Sequence, residues 1–289
     1  MKRIFYTAAA LLLTAAGFAQ TDTTGKSSDP DTIRVGNFVI IKKDKDGGNT
    51  SGSGDDKHVY VDINVWPKNG RVKHKSNIST NWMIFDLGFA NVRDETEYGS
   101  PEANAYLNAQ GSTPFTKSDL ALRTSKSSNV NIWLFMQKIN VSKHVLNLKY
   151  GLGVEMYNYR YENDISYHKS PAYIFKDTVS FSKNKLYVGY ITVPFMVNIN
   201  TSPDRRRGFS FSAGVSAGYK IESRNKQISN ERGKQKIRGN FDLEPWRLAA
   251  IAEAGLGPVR LYGSYSFNTL HQGGLQQYPY AVGIRFSNW

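Results

Sequence analysis

The sequence predicts an all-β protein: an eight-stranded antiparallel transmembrane β-barrel with long extracellular loops and short periplasmic turns. Three observations predict it, namely an export signal, eight segments in which apolar and polar residues alternate, and connections that alternate between long and short. A period of two places successive side chains on opposite faces of a strand. One face can therefore meet lipid while the other lines an interior.

The composition excludes several classes of protein. None of the 289 residues is cysteine, which excludes a disulfide framework, a thiolate metal site and a cysteine nucleophile. No run of about 20 apolar residues is present, which excludes transmembrane helices. Lys and Arg number 37 against 24 Asp and Glu, for a net charge of +13. For an exported chain, anionic lipid head groups are the expected counter-charge, and nucleic acid is not an expected partner.

Residues 1–19 have the three parts of a signal peptide. Lys2 and Arg3 supply the charge, Ala8 to Phe18 form an apolar run, and Gly17-Phe18-Ala19 is a small-x-small cleavage site. The apolar run is too short to span a membrane. We therefore expect export and cleavage after Ala19.

The composition of residues 20–79 predicts a polar, partly flexible periplasmic extension. A stretch rich in Gly, Ser and Asp, Asp44 to Asp56, separates two β-like runs, Ile33 to Ile41 and Val59 to Trp66. The two runs could pair as a small hairpin, although a lone two-stranded unit is only marginally stable in water.

Residues 80–289 predict the barrel, and Val145 to Tyr159 shows the alternation most clearly. There Leu146, Leu148 and Leu152 share one face with other apolar residues, and polar residues and glycines fill the opposite face. The second strand is apolar on both faces, so its register stays open. The eight predicted strands are Trp82–Asn91, Val130–Asn140, Val145–Tyr159, Leu186–Asn200, Phe209–Glu222, Leu243–Leu256, Val259–Asn268 and Tyr278–Phe286.

The predicted connections separate into long and short ones at opposite rims, which is typical of outer-membrane barrels. A soluble lipocalin-type barrel also has eight strands and is the competing interpretation. Aromatic residues favour the membrane, because they fall near strand ends as two interfacial belts would. The belt residues are Tyr157, Tyr159, Tyr161, Tyr187, Trp246, Tyr265, Phe267, Tyr278 and Tyr280 towards the long-loop rim and Trp82, Phe209 and Phe286 towards the other.

From Thr80 to Trp289 the chain resembles small outer-membrane barrels of the OmpA/OmpX type, and more closely the PorT-like barrel family abundant in Bacteroidetes. The resemblance is carried by the signal ending Ala19-Gln20, the first strand NWMIFDLGF (Asn81–Phe89) and the last strand YAVGIRF (Tyr280–Phe286). It implies a location in the outer membrane of a diderm bacterium. It also implies that an aromatic residue at the end of the last strand is recognised by the barrel-assembly machinery. Phe286 ends the alternation, Trp289 lies out of phase beyond it, and either could serve.

The interior of an eight-stranded barrel is just wide enough for side chains to fill. Parity along the strands predicts a charge network within or near it. One interpretation is a plugged interior whose acid–base pairs fix the strand register, and the other is a narrow, porin-like ion path. The predicted charges are Asp86, Lys149, Glu155, Lys220, Arg247, Glu253, Arg260 and Arg285.

No catalytic, cofactor-binding or metal-binding residue is predicted. None of the five histidines is paired with another at metal-ligand spacing. His168-Lys169-Ser170 and His74-Lys75-Ser76 have the His-x-Ser spacing of outer-membrane lipid A deacylases, but they fall in a loop and outside the barrel. We therefore expect these to be solvated residues.

The third long loop, Ser223 to Asp242, is strongly basic. We expect it either to contact lipopolysaccharide phosphates or to be a mobile solvated loop. Its basic residues are Arg224, Lys226, Arg232, Lys234, Lys236 and Arg238.

The function expected from the sequence is a structural or surface-interaction role, without enzymatic activity, for a monomer that displays long loops. Its expected partners are outer-membrane lipid and lipopolysaccharide, and the assembly machinery during biogenesis. A narrow channel for ions or small solutes is the alternative, and a lipid-modifying enzyme is third.

Overall fold

The computed structural model describes residues 32–35, 38–41, 76–108, 113–201 and 208–287. The predicted signal peptide and most of the predicted extension lie outside these ranges. The chain divides into two units, Met1–His74 and Lys75–Trp289. No α-helix among the described residues is long and apolar enough to cross a membrane.

In the first unit, strand β1 (Thr32–Val35) pairs with strand β2 (Phe38–Ile41) in an antiparallel hairpin. Both strands come from the first predicted β-like run, Ile33 to Ile41. The second run, Val59 to Trp66, lies outside the described residues.

The second unit contains a closed ring of eight antiparallel strands in the order β3-β5-β6-β9-β10-β12-β13-β14, and β14 pairs back to β3. Each predicted barrel strand overlaps one strand of this ring, which confirms the predicted fold class. The strands of the unit are β3 (Ile78–Asp94), β4 (Leu107–Asn108), β5 (Ser128–Ser142), β6 (Leu146–Arg160), β7 (Ile165–Lys169), β8 (Ala172–Lys176), β9 (Lys183–Asn200), β10 (Phe209–Ser229), β11 (Gly233–Arg238), β12 (Trp246–Leu256), β13 (Val259–Ser266) and β14 (Gln277–Phe286).

The apolar face of the strands points outwards and forms a continuous band. On β9 the band runs from Ile191 to Ile199, and on β10 from Phe209 to Ile221. The alternate residues are buried, as expected for a barrel with lipid outside and side chains inside. Sheets in soluble barrels bury their apolar face, so the lipocalin-type interpretation does not fit.

A β-bulge at Leu134 explains why the second barrel strand is apolar on both faces. The pairing of β5 with β6 shifts between Trp133 and Phe135. Trp133 is buried before the bulge and Met136 after it, so the inward residues change from odd to even numbers. Leu134 at the bulge is exposed.

The ring closes along the seam between β14 and β3. Gly283 lies opposite Gly88, and Arg285 lies opposite Asp86. A Cβ atom added to Gly283 would lie 2.3 Å from the backbone oxygen of Leu87, so the close approach of the two strands requires glycine there.

Connections between neighbouring ring strands are long at one rim and short at the other. Among the described residues, the long-loop rim carries 95–108, 113–127, 161–182, 230–245 and 267–276, and the short-turn rim carries 143–145, 201, 208 and 257–258. The long connections contain regular structure, including helix α1 (Pro101–Tyr106), two 3-10 helices (Lys117–Leu120 and Thr124–Lys126) and a small sheet of β4, β8 and β7.

The predicted loop Ser223 to Asp242 is largely a β-hairpin. Strand β10 continues past the predicted end at Glu222 to Ser229, and β11 pairs with that extension. The sequence alternation breaks at Glu222 because a bulge between Lys220 and Glu222 reverses its parity. Most of this segment is therefore regular β-structure that continues the barrel sheet.

Candidate functional site

The first candidate site is a charge cluster inside the barrel, centred on Glu253. Arg285 Nη1 donates to Glu253 Oε2 at 2.6 Å, and Lys149 Nζ forms a buried ion pair with Oε1. Arg260 lies 3.6 Å from the same oxygen, and Ser212 donates a hydrogen bond to it. One carboxylate thus serves three cations that come from separate strands.

Asp86 extends this cluster to the closing seam. Arg285 holds its two oxygens with Nε at 2.8 Å and Nη2 at 2.7 Å. The indole of Trp133 donates to Asp86 at 2.7 Å, and Asn131 donates at 3.0 Å. Because Arg285 and Asp86 are also directly opposite in the ladder, this bidentate pair joins the last strand to the first.

A second cluster lies towards the long-loop rim and contains Glu155, the third of the predicted interior carboxylates. Arg247 donates to Glu155 at 3.0 Å and to Ser264 at 3.1 Å, and Thr192 also donates to Glu155. The Arg247 guanidinium lies over the ring of Tyr157, 4.8 Å from its centroid. All of the charged groups in both clusters are 5 % exposed or less.

Little space remains between the two clusters. The cavity there has a volume of about 10 Å³, room for at most a single water. It is lined by Trp133, Glu155, Tyr262 and Arg285 among others. Nearby, Ile84, Trp133, Met136 and Met196 form a small buried apolar group.

Lys220, predicted with the luminal charges, lies apart from both clusters. It is half-buried at the long-loop rim, where its ammonium donates to the Asn240 side chain and to the Leu243 carbonyl. Strand parity correctly predicts that Lys220 points inwards. Its partners Asn240 and Leu243 lie in a connection, and sequence alternation cannot predict the path of a connection.

The barrel end at the long-loop rim is filled by an apolar cluster that we call the cap. Tyr157, Tyr159 and Tyr161 point inwards and are buried in the cap, so their prediction as interfacial belt residues is wrong. Their odd numbers place Tyr157 and Tyr159 on the inward face of β6, the same face as Glu155, and Tyr161 follows directly after the strand. The remaining members of the cap include Tyr106, Leu107, Phe115, Leu120, Ile165, Tyr167, Ile174, Leu186, Tyr190, Phe241, Leu243, Leu270 and Leu275.

Hydrogen bonds hold the cap together both between connections and within one connection. The Tyr106 hydroxyl donates to the Phe241 carbonyl at 2.6 Å, and the hydroxyls of Tyr161 and Tyr167 bond to each other. His271 is buried beside Tyr106 and Tyr167. Burial, with a smaller contribution from the positive charge of Lys220, lowers the pKa of His271 to about 3, so its ring is neutral.

The six predicted basic residues of the third long connection do not act as one group. Arg232 turns away and forms a bidentate pair with Asp177 at 2.8 and 3.1 Å. The other five share one outward face of the hairpin, because Arg224, Lys226 and Ile228 lie directly opposite Arg238, Lys236 and Lys234.

His168, from the His-x-Ser pair in the described part of the chain, packs against the turn between β7 and β8. His168 Nδ1 contacts the carbonyl oxygen of Pro171 at 2.7 Å, and its ring stacks on Tyr173 at a centroid distance of 4.5 Å. His74 lies outside the described residues. Within the described ranges, no group of three or more His, Asp or Glu is placed to hold a metal ion.

The two candidate assembly residues differ in what the structure describes. Phe286 ends β14 with its ring on the outward face, about half exposed. Trp289 lies outside the described residues.

Residues 94–272, more than half of the chain, match the family profile described as "Outer membrane protein beta-barrel domain". A search of curated proteins returns no match.

Proposed function

The chain belongs to the outer membrane protein beta-barrel domain family, and we propose that it is a closed barrel that acts as a structural or surface-interaction protein. In this proposal the long-loop rim faces the cell exterior and the short-turn rim faces the periplasm, as is typical of outer-membrane barrels. The barrel acts as a monomer and presents its folded connections to partners outside the cell.

The observation that carries the proposal is the pairing of the interior charges around a cavity of only about 10 Å³. An ion path needs continuous water and charges that exchange partners easily. Here Asp86, Glu155 and Glu253 are each held by a cation and by at least one further hydrogen bond. Moving any of them would leave an unpaired buried charge, which costs several kcal/mol.

The cap supports the same proposal from the other end of the barrel. Tyr157, Tyr159 and Leu186 fill the interior beneath the long connections with aromatic and aliphatic groups. A permeating ion would have to cross this apolar layer as well as the charge clusters.

We further propose that the protein is not an enzyme. The contacts of His168 with Pro171 and Tyr173 support a role in packing β7 against β8. On this proposal, replacing His168 with alanine changes no activity on lipid A. During biogenesis the assembly machinery would recognise the end of β14 at Phe286 or the adjacent Trp289.

The proposal is tested by the conductance of the refolded mature chain, residues 20–289, in a planar lipid bilayer. A gel shift between heated and unheated samples first establishes that the barrel is folded. We expect no discrete current steps from folded protein. Reproducible steps would overturn the closed barrel and make the interior charges selectivity groups of a channel, and neutralising Glu155 or Glu253 would then change the conductance.

A further inference from the structure

A basic face lies on the outside of the molecule, just beyond the apolar band at the long-loop rim. We define the basic face by eight residues from four neighbouring strands: Arg160, Lys183, Lys185, Arg224, Lys226, Lys234, Lys236 and Arg238. Three of them, Arg160, Lys183 and Lys185, lie outside the basic loop that the sequence singles out. They reach the same surface because β6 and β9 continue the sheet beside β10.

The strand register sets like charges directly opposite each other. Lys226 lies opposite Lys236 on one side and Lys185 on the other, and Lys185 lies opposite Arg160. Like charges in such cross-strand positions destabilise a sheet. The folded protein therefore bears a repulsion that a bound anion would relieve.

Few anionic groups of the protein itself offset this charge. Across the four strands, whose residues are all described, Glu222 is the single acidic residue on this face, and it contacts Arg224 at 3.4 Å and Arg238 at 3.3 Å.

The position of the face specifies the kind of anion. Three aromatic residues lie where the apolar band ends, as interfacial aromatic residues do: Tyr187 on β9, Tyr219 on β10 and Trp246 on β12. The guanidinium of Arg224 lies 4.3 Å from the Tyr187 ring centroid, and Lys226 and Lys236 follow immediately above it. The cations are thus at the level of lipid head groups.

We propose that the basic face binds the phosphate groups of an anionic lipid in the outer leaflet. The inference rests on the proposed function, because that places the long-loop rim at the cell exterior. The acyl chains of such a lipid would lie along the outward apolar residues of β9 and β10, and its phosphates would lie between the lysines of β9, β10 and β11.

The test compares two triple variants of the full mature chain in neutral detergent. Lys185→Gln/Lys226→Gln/Lys236→Gln removes charge from the centre of the face. Lys117→Gln/Lys126→Gln/Lys143→Gln removes the same charge from exposed positions elsewhere. Binding is measured by titration with bisphosphorylated lipid A, with the same lipid after removal of both phosphates, and with soluble inorganic tripolyphosphate.

We expect the first variant to bind bisphosphorylated lipid A about 100-fold more weakly than the parent chain. Each lysine near an anionic surface raises the affinity about fivefold, and the variant lacks three of them. The second variant should bind like the parent. Without lipid, the first variant should melt at a temperature no lower than the parent, because its like-charge repulsion is smaller. That result would separate loss of a binding site from loss of folding.

Four results would overturn the inference. The first three are equal weakening in both variants, equal binding of the dephosphorylated lipid, and a first variant that is less stable without lipid. The fourth is tripolyphosphate binding as tight as lipid binding, which would identify a soluble polyanion instead. None of these results bears on the closed barrel, which the conductance experiment tests separately.

Discussion

Glu253 is the residue on which the interior charge arrangement depends most. Its carboxylate is shared by Lys149, Arg260 and Arg285, and all four side chains are almost fully buried. Removing the charge of Glu253 would leave the cations facing each other at low dielectric. Breaking a buried pair in this way costs about 3–5 kcal/mol.

We therefore expect Glu253→Gln to lower the free energy of unfolding by about 3–5 kcal/mol. The measurement is urea unfolding of the refolded barrel, followed by tryptophan fluorescence. Glu95→Gln is the matched control, because the pair of Glu95 with Arg93 is exposed and should contribute about 1 kcal/mol or less. Equal midpoints for the two variants would show that the buried cluster does not hold the barrel together.

Sequence alternation could predict the direction of these side chains but not their partners. Lys149 on β6 and Glu253 on β12 lie in strands that are not neighbours in the ring. Their contact depends on how the whole ring closes, which no local pattern encodes. Tyr157 shows the same limit, because its place near a strand end indicated an interfacial belt while its odd number indicated the interior.

At the scale of elements, the hairpin formed by β10 and β11 is attached to the neighbouring connection by hydrogen bonds from Gln227 and by an ion pair at its tip. Arg232 at its tip holds Asp177, whose side chain is 2 % exposed and also accepts a hydrogen bond from Ser166. Burial alone would raise the pKa of Asp177, but the bonds from Arg232, Ser166 and the Val179 backbone outweigh it and lower this pKa.

Because the folded-state pKa of Asp177 is below its unfolded value, this pair stabilises the docked hairpin at pH values above about 4. The stabilisation is lost as the pH falls through the folded-state pKa. We expect Asp177→Asn to reproduce the acid effect at neutral pH, so that trypsin cleaves faster at the basic residues of β11. Glu231→Gln, at an exposed neighbouring position, should leave the cleavage rate unchanged. Equal rates for the Asp177 variant and the parent would contradict the role given to the pair.

Two β-bulges explain most of the difference between predicted and observed elements. Alternation identified all eight ring strands, because each has one lipid-facing and one interior face. It failed where a bulge reverses parity, at Leu134 inside β5 and between Lys220 and Glu222 in β10. For this reason the alternation predicts a loop where the structure has the extension of β10 paired with β11.

At the scale of the whole molecule, two layers of side chains occupy the barrel: the charge clusters of the interior and the cap formed by the long connections. The cap was beyond sequence prediction, because Phe241, Leu270 and Tyr106 lie in connections without a periodic pattern. Their apolar character becomes interpretable only when the ring brings the four long connections to one rim. The outward surface of the barrel carries the apolar band and, beyond it at the long-loop rim, the basic face.

The closed interior can be tested directly because the chain has no cysteine. Ser216 lies on the inward face of β10, opposite Pro194 and Ala249, and its buried hydroxyl has no hydrogen-bond partner among the described residues. Ser216→Cys should therefore fold normally and place a single thiol inside the barrel. Ser125→Cys places a thiol at an exposed position of the long-loop rim as the control.

The measurement is the rate at which a small, charged, membrane-impermeant thiol reagent labels each variant in lipid vesicles. We predict that the cysteine at position 125 reacts rapidly, and that the cysteine at position 216 stays unlabelled until the barrel is unfolded. Labelling at position 216 in the folded barrel, at a rate similar to that at position 125, would contradict the closed interior.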